Sequence, residues 1–235
     1  MKFQEFVKGV NAFEEENWFG EYVYFKTIEK LSGVQADALS LRPADVKDVI
    51  RMFLLQWGQM ARTINRKGTE WDKLCNNITG RAKAFRRLQN IEILTFGQSD
   101  EQYVAELYNA IHVKNIGATS ISKILHVLNP KLFVPWDVEI RLNTREGLGY
   151  RNAGQLGKPF SESASGYVAF LRSARDEVKG ALLEKAKTPA DISTVVGEIL
   201  SERLEVQGGR LEQEYKWMKT LAKLIDEYNW YCAWK

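Results

Sequence analysis

The feature that most restricts this chain lies between Ala105 and Arg141, where a helical pattern meets a tight turn, resumes briefly and then stops at a proline-bounded loop. Ser99-Asp100-Glu101-Gln102 fits a capping box, and Tyr103, Val104, Leu107, Tyr108 and Ile111 then recur at helical spacing. Asn115-Ile116-Gly117 follows, and Asn and Gly are the residues that best tolerate left-handed backbone angles. Ile121, Ile124, Leu125 and Leu128 then mark one face of a short second helix, before Pro130, Pro135, Trp136 and Asp137. Two helices joined this tightly must fold back as a packed hairpin, and the hairpin spans 105–128.

The rest of the chain is helical in the same way. Pro43 suits a first helical turn, and Val46, Val49, Ile50, Phe53, Leu54, Trp57, Met60 and Ala61 continue from it at helical spacing. Thr188-Pro189-Ala190-Asp191 reads as another helix start, and Leu211 to Tyr231 as a closing helix rich in aromatics. Only Glu21 to Phe25 hints at a strand. Gly147 to Gly166 reads as a loop between helical parts, and Gly147-Leu148-Gly149 lacks the preceding strand and third glycine of a nucleotide fingerprint. The expected fold is all-α.

Composition narrows the function. The 235 residues are 45% hydrophobic and 27% charged, and no apolar run approaches the roughly 18 residues of a membrane helix, so a globular cytoplasmic protein is expected. Two cysteines, Cys75 and Cys232, supply neither a disulfide framework nor a four-cysteine metal site. His112 and His126 have no partners at ligand spacing, so no metal site is expected. The net charge of +3 is small, but residues 51–100 hold nine Lys and Arg against four Asp and Glu, whereas residues 1–50 hold six against nine. That basic stretch contains Arg62, Arg66, Lys67, Lys73, Arg81, Lys83, Arg86 and Arg87; it is either a solvated helix face or a contact for a polyanion.

A helix beginning just after Gly117 leaves free amides near Gly117, Thr119 and Ser120, with the macrodipole behind them, which suits an anion such as a DNA phosphate. With its hairpin, loop and aspartate, the segment 105–141 resembles the helix-hairpin-helix DNA glycosylases. The resemblance implies two helical lobes around a cleft, within a single unit 1–235. One lobe is expected near 40–146, holding the hairpin and Asp137, and the other from 1–39 with 166–235. It implies a phosphate grip at Asn115, Ile116, Gly117, Thr119 and Ser120, and a catalytic carboxylate at Asp137. It implies no required cofactor and no metal for the chemistry, while allowing a monovalent cation at the hairpin carbonyls. The missing cysteines exclude the iron-sulfur cluster of some relatives. Asn115 stands where the family's first hairpin glycine is usual.

Members that also cut the strand carry a nucleophilic lysine two residues after the second glycine. Here Thr119 holds that position, 18 residues before Asp137, which favours a monofunctional enzyme using water. Lys123, one helical turn later on the same face, should point away from the core and lean back toward that space, so lyase action through Lys123 stays open. It would need its pKa lowered from about 10.4, which burial can do. A carboxylate suits the chemistry, because breaking an N-glycosidic bond builds positive charge on the sugar.

The expected partner is double-stranded DNA containing a damaged or modified base, bound by a monomer that flips the base and excises it to leave an abasic site. The substrate is an oxidised purine, in repair, or a bulky modified base, as in defence against phage. Arg81, Lys83, Arg86 and Arg87 are the candidate backbone contacts, and Trp136 a candidate wall of the base pocket. Plainer roles exist for each: Asp137 as a helix cap, Lys123 as a surface lysine, Trp136, Trp217, Trp230 and Trp234 as core or lobe interface. From a different class, the whole segment could be a non-enzymatic module that only binds duplex DNA.

Overall fold

The computed structural model describes residues 1–35, 43–57, 60, 65, 67–143, 150–152, 154–206 and 219–234. Its elements run α1 (Phe3–Gln35), α2 (Pro43–Gln56), α3 (Trp71–Thr79), α4 (Ala82–Leu88), α5 (Gln98–Ile111), α6 (Ala118–Leu128) and α7 (Val138–Leu142). A two-stranded ribbon follows, β1 (Arg151–Asn152) and β2 (Gln155–Leu156). The chain closes with α8 (Ala164–Lys185), a 3-10 turn (Pro189–Asp191), α9 (Ile192–Val206) and α10 (Leu221–Trp234). The protein is mostly helical. The ribbon pairs antiparallel, Arg151 opposite Leu156, inside the stretch expected to be a loop. Gly147 and Gly149 lie outside the described residues.

Glu21 to Phe25 forms no strand but belongs to α1. Aromatic and β-branched residues favour strands only weakly, and packing decides: Phe6, Val10 and Phe13, then Tyr24 and Ile28, recur at helical spacing and are all buried. α1 packs chiefly against α10, with the rings of Phe6 and Tyr228 5.6 Å apart and those of Phe13 and Trp230 5.2 Å apart. The Thr220 hydroxyl accepts from the Lys223 amide and caps α10; Leu211 to Trp217 of the expected closing helix lie outside the described residues. α2 starts at Pro43 as expected but ends at Gln56, so Trp57 and Met60 fall in the turn beyond it, and Ala61 is outside the described residues.

At α5 the cap is two residues earlier than expected. Gly97 is the flanking residue, and the Asp100 carboxylate accepts from its amide at 3.1 Å. The Thr188 start is as expected, with Asp191 accepting from the Thr188 amide at 2.8 Å. Among the described residues one apolar core runs from Phe6 and Tyr24 through Phe53, Leu107, Leu125 and Trp136 to Phe170 and Ile225, so both expected lobes contribute to it.

Candidate nucleic-acid interface and active site

α5 and α6 are joined by a tight turn, and the left-handed residue in it is Asn115, at φ 67°. Gly117 is extended, at φ −91° and ψ −180°, and flanks α6 as its N-cap. Asn115 also ties the turn down, its amide donating to the Thr69 hydroxyl at 3.4 Å and the Lys67 carbonyl at 3.5 Å. The departure from glycine is thereby explained, since Asn tolerates this conformation and adds side-chain bonds. Gly117 needs neither a left-handed backbone nor space from its neighbours, because a Cβ there would meet nothing within 4 Å. What Gly117 leaves is bare, exposed backbone beside the start of α6.

The first intrahelical bond of α6 runs from the Ile121 amide to the Gly117 carbonyl at 2.9 Å, so the amides of Ala118, Thr119 and Ser120 have no acceptor within the helix. Ile116 and the Ser120 side chain are both buried, and the Ser120 hydroxyl donates to the Met60 sulfur at 3.2 Å. Of these two, the Ser120 amide is left to serve an anion, since the Ile116 amide donates to the Val113 carbonyl at 3.0 Å. A groove of about 580 Å³ runs beside the turn, lined by Glu70, Lys73, His112, Lys114, Asn115 and Gly117 among others. Glu70 organises it: its carboxylate accepts from Lys73 at 3.1 Å and from the Lys114 amide at 3.3 Å, and these bonds, Lys73 first, hold its pKa below the usual carboxylate value.

The basic stretch extends from this groove along α5 rather than gathering at the turn. Asn77 on α3 donates to the Ala110 carbonyl next to the turn. Arg81 pairs with Glu106 at 3.0 Å, and Arg87 on α4 pairs with Asp100 at 3.3 Å. At 1.5 Å per residue those acids lie about 8 and 16 Å back along α5 from its end. Lys83 and Arg86 are exposed on the same short helix. Of the basic stretch, Lys67 and Lys73 are nearest the turn, and Lys114 joins them from outside it. Arg62 and Arg66 lie outside the described residues.

At the far end of the loop, Asp137 caps α7, its Oδ1 accepting from the Ile140 amide at 3.1 Å. The carboxylate is half-buried and acts electrostatically on Lys123. Lys123 does not stand in open solvent as its position opposite the apolar face suggested, because the side of α6 that carries it is covered. Its ammonium lies 5.4 Å from the centre of the Trp57 ring. Burial holds its pKa below the ordinary lysine value, and Asp226 of α10 and then Asp137 pull it partly back.

Trp136 does not line an open pocket. It is fully buried, packed on the rings of Tyr167 and Phe170 at 5.0 and 5.3 Å. Its indole donates to the Ala118 carbonyl at 3.2 Å, and the Ser122 hydroxyl bonds both its amide and its carbonyl at 3.1 Å. It thus fastens the start of α6 to the loop that carries Asp137. His126 is structural as expected, buried and hydrogen-bonded to the Tyr24 hydroxyl at 2.9 Å.

Residues that the periodicity did not place beside Lys123 complete its surroundings. Trp57 stacks on Phe53 at 4.8 Å and holds a second ammonium, that of Lys223, at 5.7 Å. Lys223 pairs with Glu227 at 3.0 Å and Asp226 at 3.7 Å, and Lys219 pairs with Glu227 at 3.1 Å and with Glu14. The only signal was the presence of Lys223, Asp226 and Glu227 in an otherwise apolar helix. Among the described residues no three His, Cys, Asp or Glu are grouped to hold a metal, and no helix is long and apolar enough to cross a membrane. Comparison with family models, curated proteins and solved structures finds no match for the chain.

Proposed function

We propose that the protein is a DNA glycosylase, which grips duplex DNA at the turn between α5 and α6, flips out a damaged or modified base and breaks its glycosidic bond to leave an abasic site. The observation that carries this reading is the convergence on α6. Its first turn offers unpaired amides beside bare glycine backbone, and one and a half turns later Lys123, an amine with a lowered pKa, lies within the electrostatic reach of Asp137. The grip supplies phosphate contacts that offset the few kcal/mol of base flipping, and Lys67, Lys73 and Lys114 add to it. The acid stabilises the oxocarbenium-like sugar or orients the attacking water. Oxidised purines and bulky modified bases are the substrate classes proposed.

The test is to incubate the protein with genomic DNAs carrying different modified bases and to identify released free bases by mass spectrometry. Release of one class is the expected result. Binding of all these DNAs with no base released from any would sink the reading and leave a duplex-binding module.

A second reading extends the first, and the lowered pKa of Lys123 favours it. A neutral amine attacks C1′ of the abasic aldehyde and expels water, forming a Schiff base; loss of the C2′ proton then drives elimination of the 3′ phosphate and cuts the strand. Borohydride reduces that Schiff base to a stable adduct. Wild type is expected to be trapped on abasic DNA and Lys123→Gln to lose at least a hundredfold of the adduct. Equal trapping of the two would assign the amine elsewhere.

The grip has its own test in Gly117→Ala. The extended backbone suits alanine and its Cβ meets no neighbour, so stability is expected to stay within about 1 kcal/mol of wild type. Duplex affinity is expected to fall about tenfold at fixed salt, by fluorescence anisotropy, because the methyl stands where the DNA backbone approaches. Unchanged affinity would place the DNA elsewhere.

A further inference from the structure

The charges behind Lys123 form a continuous buried series. From α10, Asp226 acts on Lys123 more strongly than Asp137 does, although Asp226 is not in the hairpin segment. It is 9% exposed, and its carboxylate lies 3.7 Å from the Lys223 ammonium. Lys223 and Lys123 both approach the same indole, that of Trp57, at 5.7 and 5.4 Å. Behind Lys223 come Glu227, Lys219 and Glu14. Tyr24 from α1 and His126 from α6 complete the wall, hydrogen-bonded to each other, with the Tyr24 ring 5.2 Å from the Lys223 ammonium.

We propose that Asp226 is a positioning residue for Lys123: its carboxylate, shared with Lys223 at the edge of Trp57, holds the Lys123 ammonium and so sets the pH above which the amine is free to attack. The proposal rests on the reading of Lys123 as the reactive amine. Lys223 pairs with this carboxylate at 3.7 Å and shares the Trp57 indole with Lys123, so whatever Lys223 draws from Asp226 is withheld from Lys123. A proton leaves Lys123 more easily if Asp226 is neutralised, and less easily if Lys223 is removed and the whole carboxylate faces Lys123. The two substitutions therefore act in opposite directions, which a merely structural contribution of α10 would not produce.

Lys123 can be followed without DNA. Reductive methylation of the free protein across pH 6 to 10, with peptide mass spectrometry at Lys123, gives the midpoint of its reactivity, and melting curves show that each variant is folded. Asp226→Asn is expected to lower the midpoint by about one pH unit, Asp226→Glu to restore it, and Lys223→Met to raise it. Borohydride capture on abasic DNA should follow the same displacements. An unchanged midpoint in folded Asp226→Asn, or displacements of the same sign in Asp226→Asn and Lys223→Met, would overturn the proposal. If the midpoints move as described but wild type forms no adduct at any pH, the coupling of Asp226 to Lys123 stands and the lyase reading fails.

Discussion

Asp137→Asn is expected to reduce base release about a thousandfold while leaving the melting temperature close to that of wild type. The two halves of this expectation come from different atoms of one contact. The cap depends on Oδ1 accepting from the Ile140 amide at 3.1 Å, and an asparagine oxygen accepts as well as a carboxylate does at this position. The catalytic part depends on charge. A carboxylate about 4 Å from the positive charge of the breaking sugar, at an effective dielectric near 20, contributes roughly 4 kcal/mol, which is about a thousandfold in rate when the charge exists only in the transition state. Asp137→Ala removes the cap as well and should cost about 1 kcal/mol of stability in addition. Single-turnover base release and thermal melting separate the two effects. Release by Asp137→Asn within tenfold of wild type would reduce Asp137 to a cap.

How much of this was legible in the sequence depends on what kind of pattern each element leaves. α5 and α6 were readable because each buries a face at helical spacing, and the turn was readable because few residues besides Asn and Gly adopt left-handed angles. Which of the two does so was not, since either can; the answer, Asn115, follows from side-chain bonds to Lys67 and Thr69 that lie more than 45 residues away. Asp137 was found from its distance to the turn. Trp136 stayed open between pocket wall and core, because a tryptophan beside an acid reads alike in either place; the structure puts it in the core.

The surroundings of Lys123 were the least legible part. Residues 221–229 of α10 are all buried, so the helix has no polar face to orient it. Lys223, Asp226 and Glu227 stand at the i, i+3 and i+4 spacings that ordinarily mark solvent-exposed ion pairs. The same spacing arises in the interior when a long helix, here α1, covers the charged side. Trp57 was hidden for a related reason: it continues the apolar spacing of α2 although the helix ends before it.

The largest expected loss of stability follows from the position of Trp136. Trp136→Ala should destabilise the protein by about 4 kcal/mol, measured by urea unfolding, a substantial share of the roughly 5–15 kcal/mol that holds a typical domain. The side chain is fully buried against Tyr167, Phe170 and Phe160, all carried by α8 or the segment before it, so truncation opens a large void among rings that cannot close over it. Trp136→Phe keeps most of that packing and loses the indole bond to the Ala118 carbonyl, for about 1–2 kcal/mol. The smaller change carries the functional information. The bond to Ala118 links the first turn of α6, the proposed phosphate grip, to the residue before Asp137, the proposed catalytic acid. Without it the acid and the grip lose their fixed separation, and base release by Trp136→Phe should fall by more than its modest stability loss accounts for. Full activity in Trp136→Phe would mean that Ser122 alone, through its two bonds to the Trp136 backbone, sets the place of Asp137.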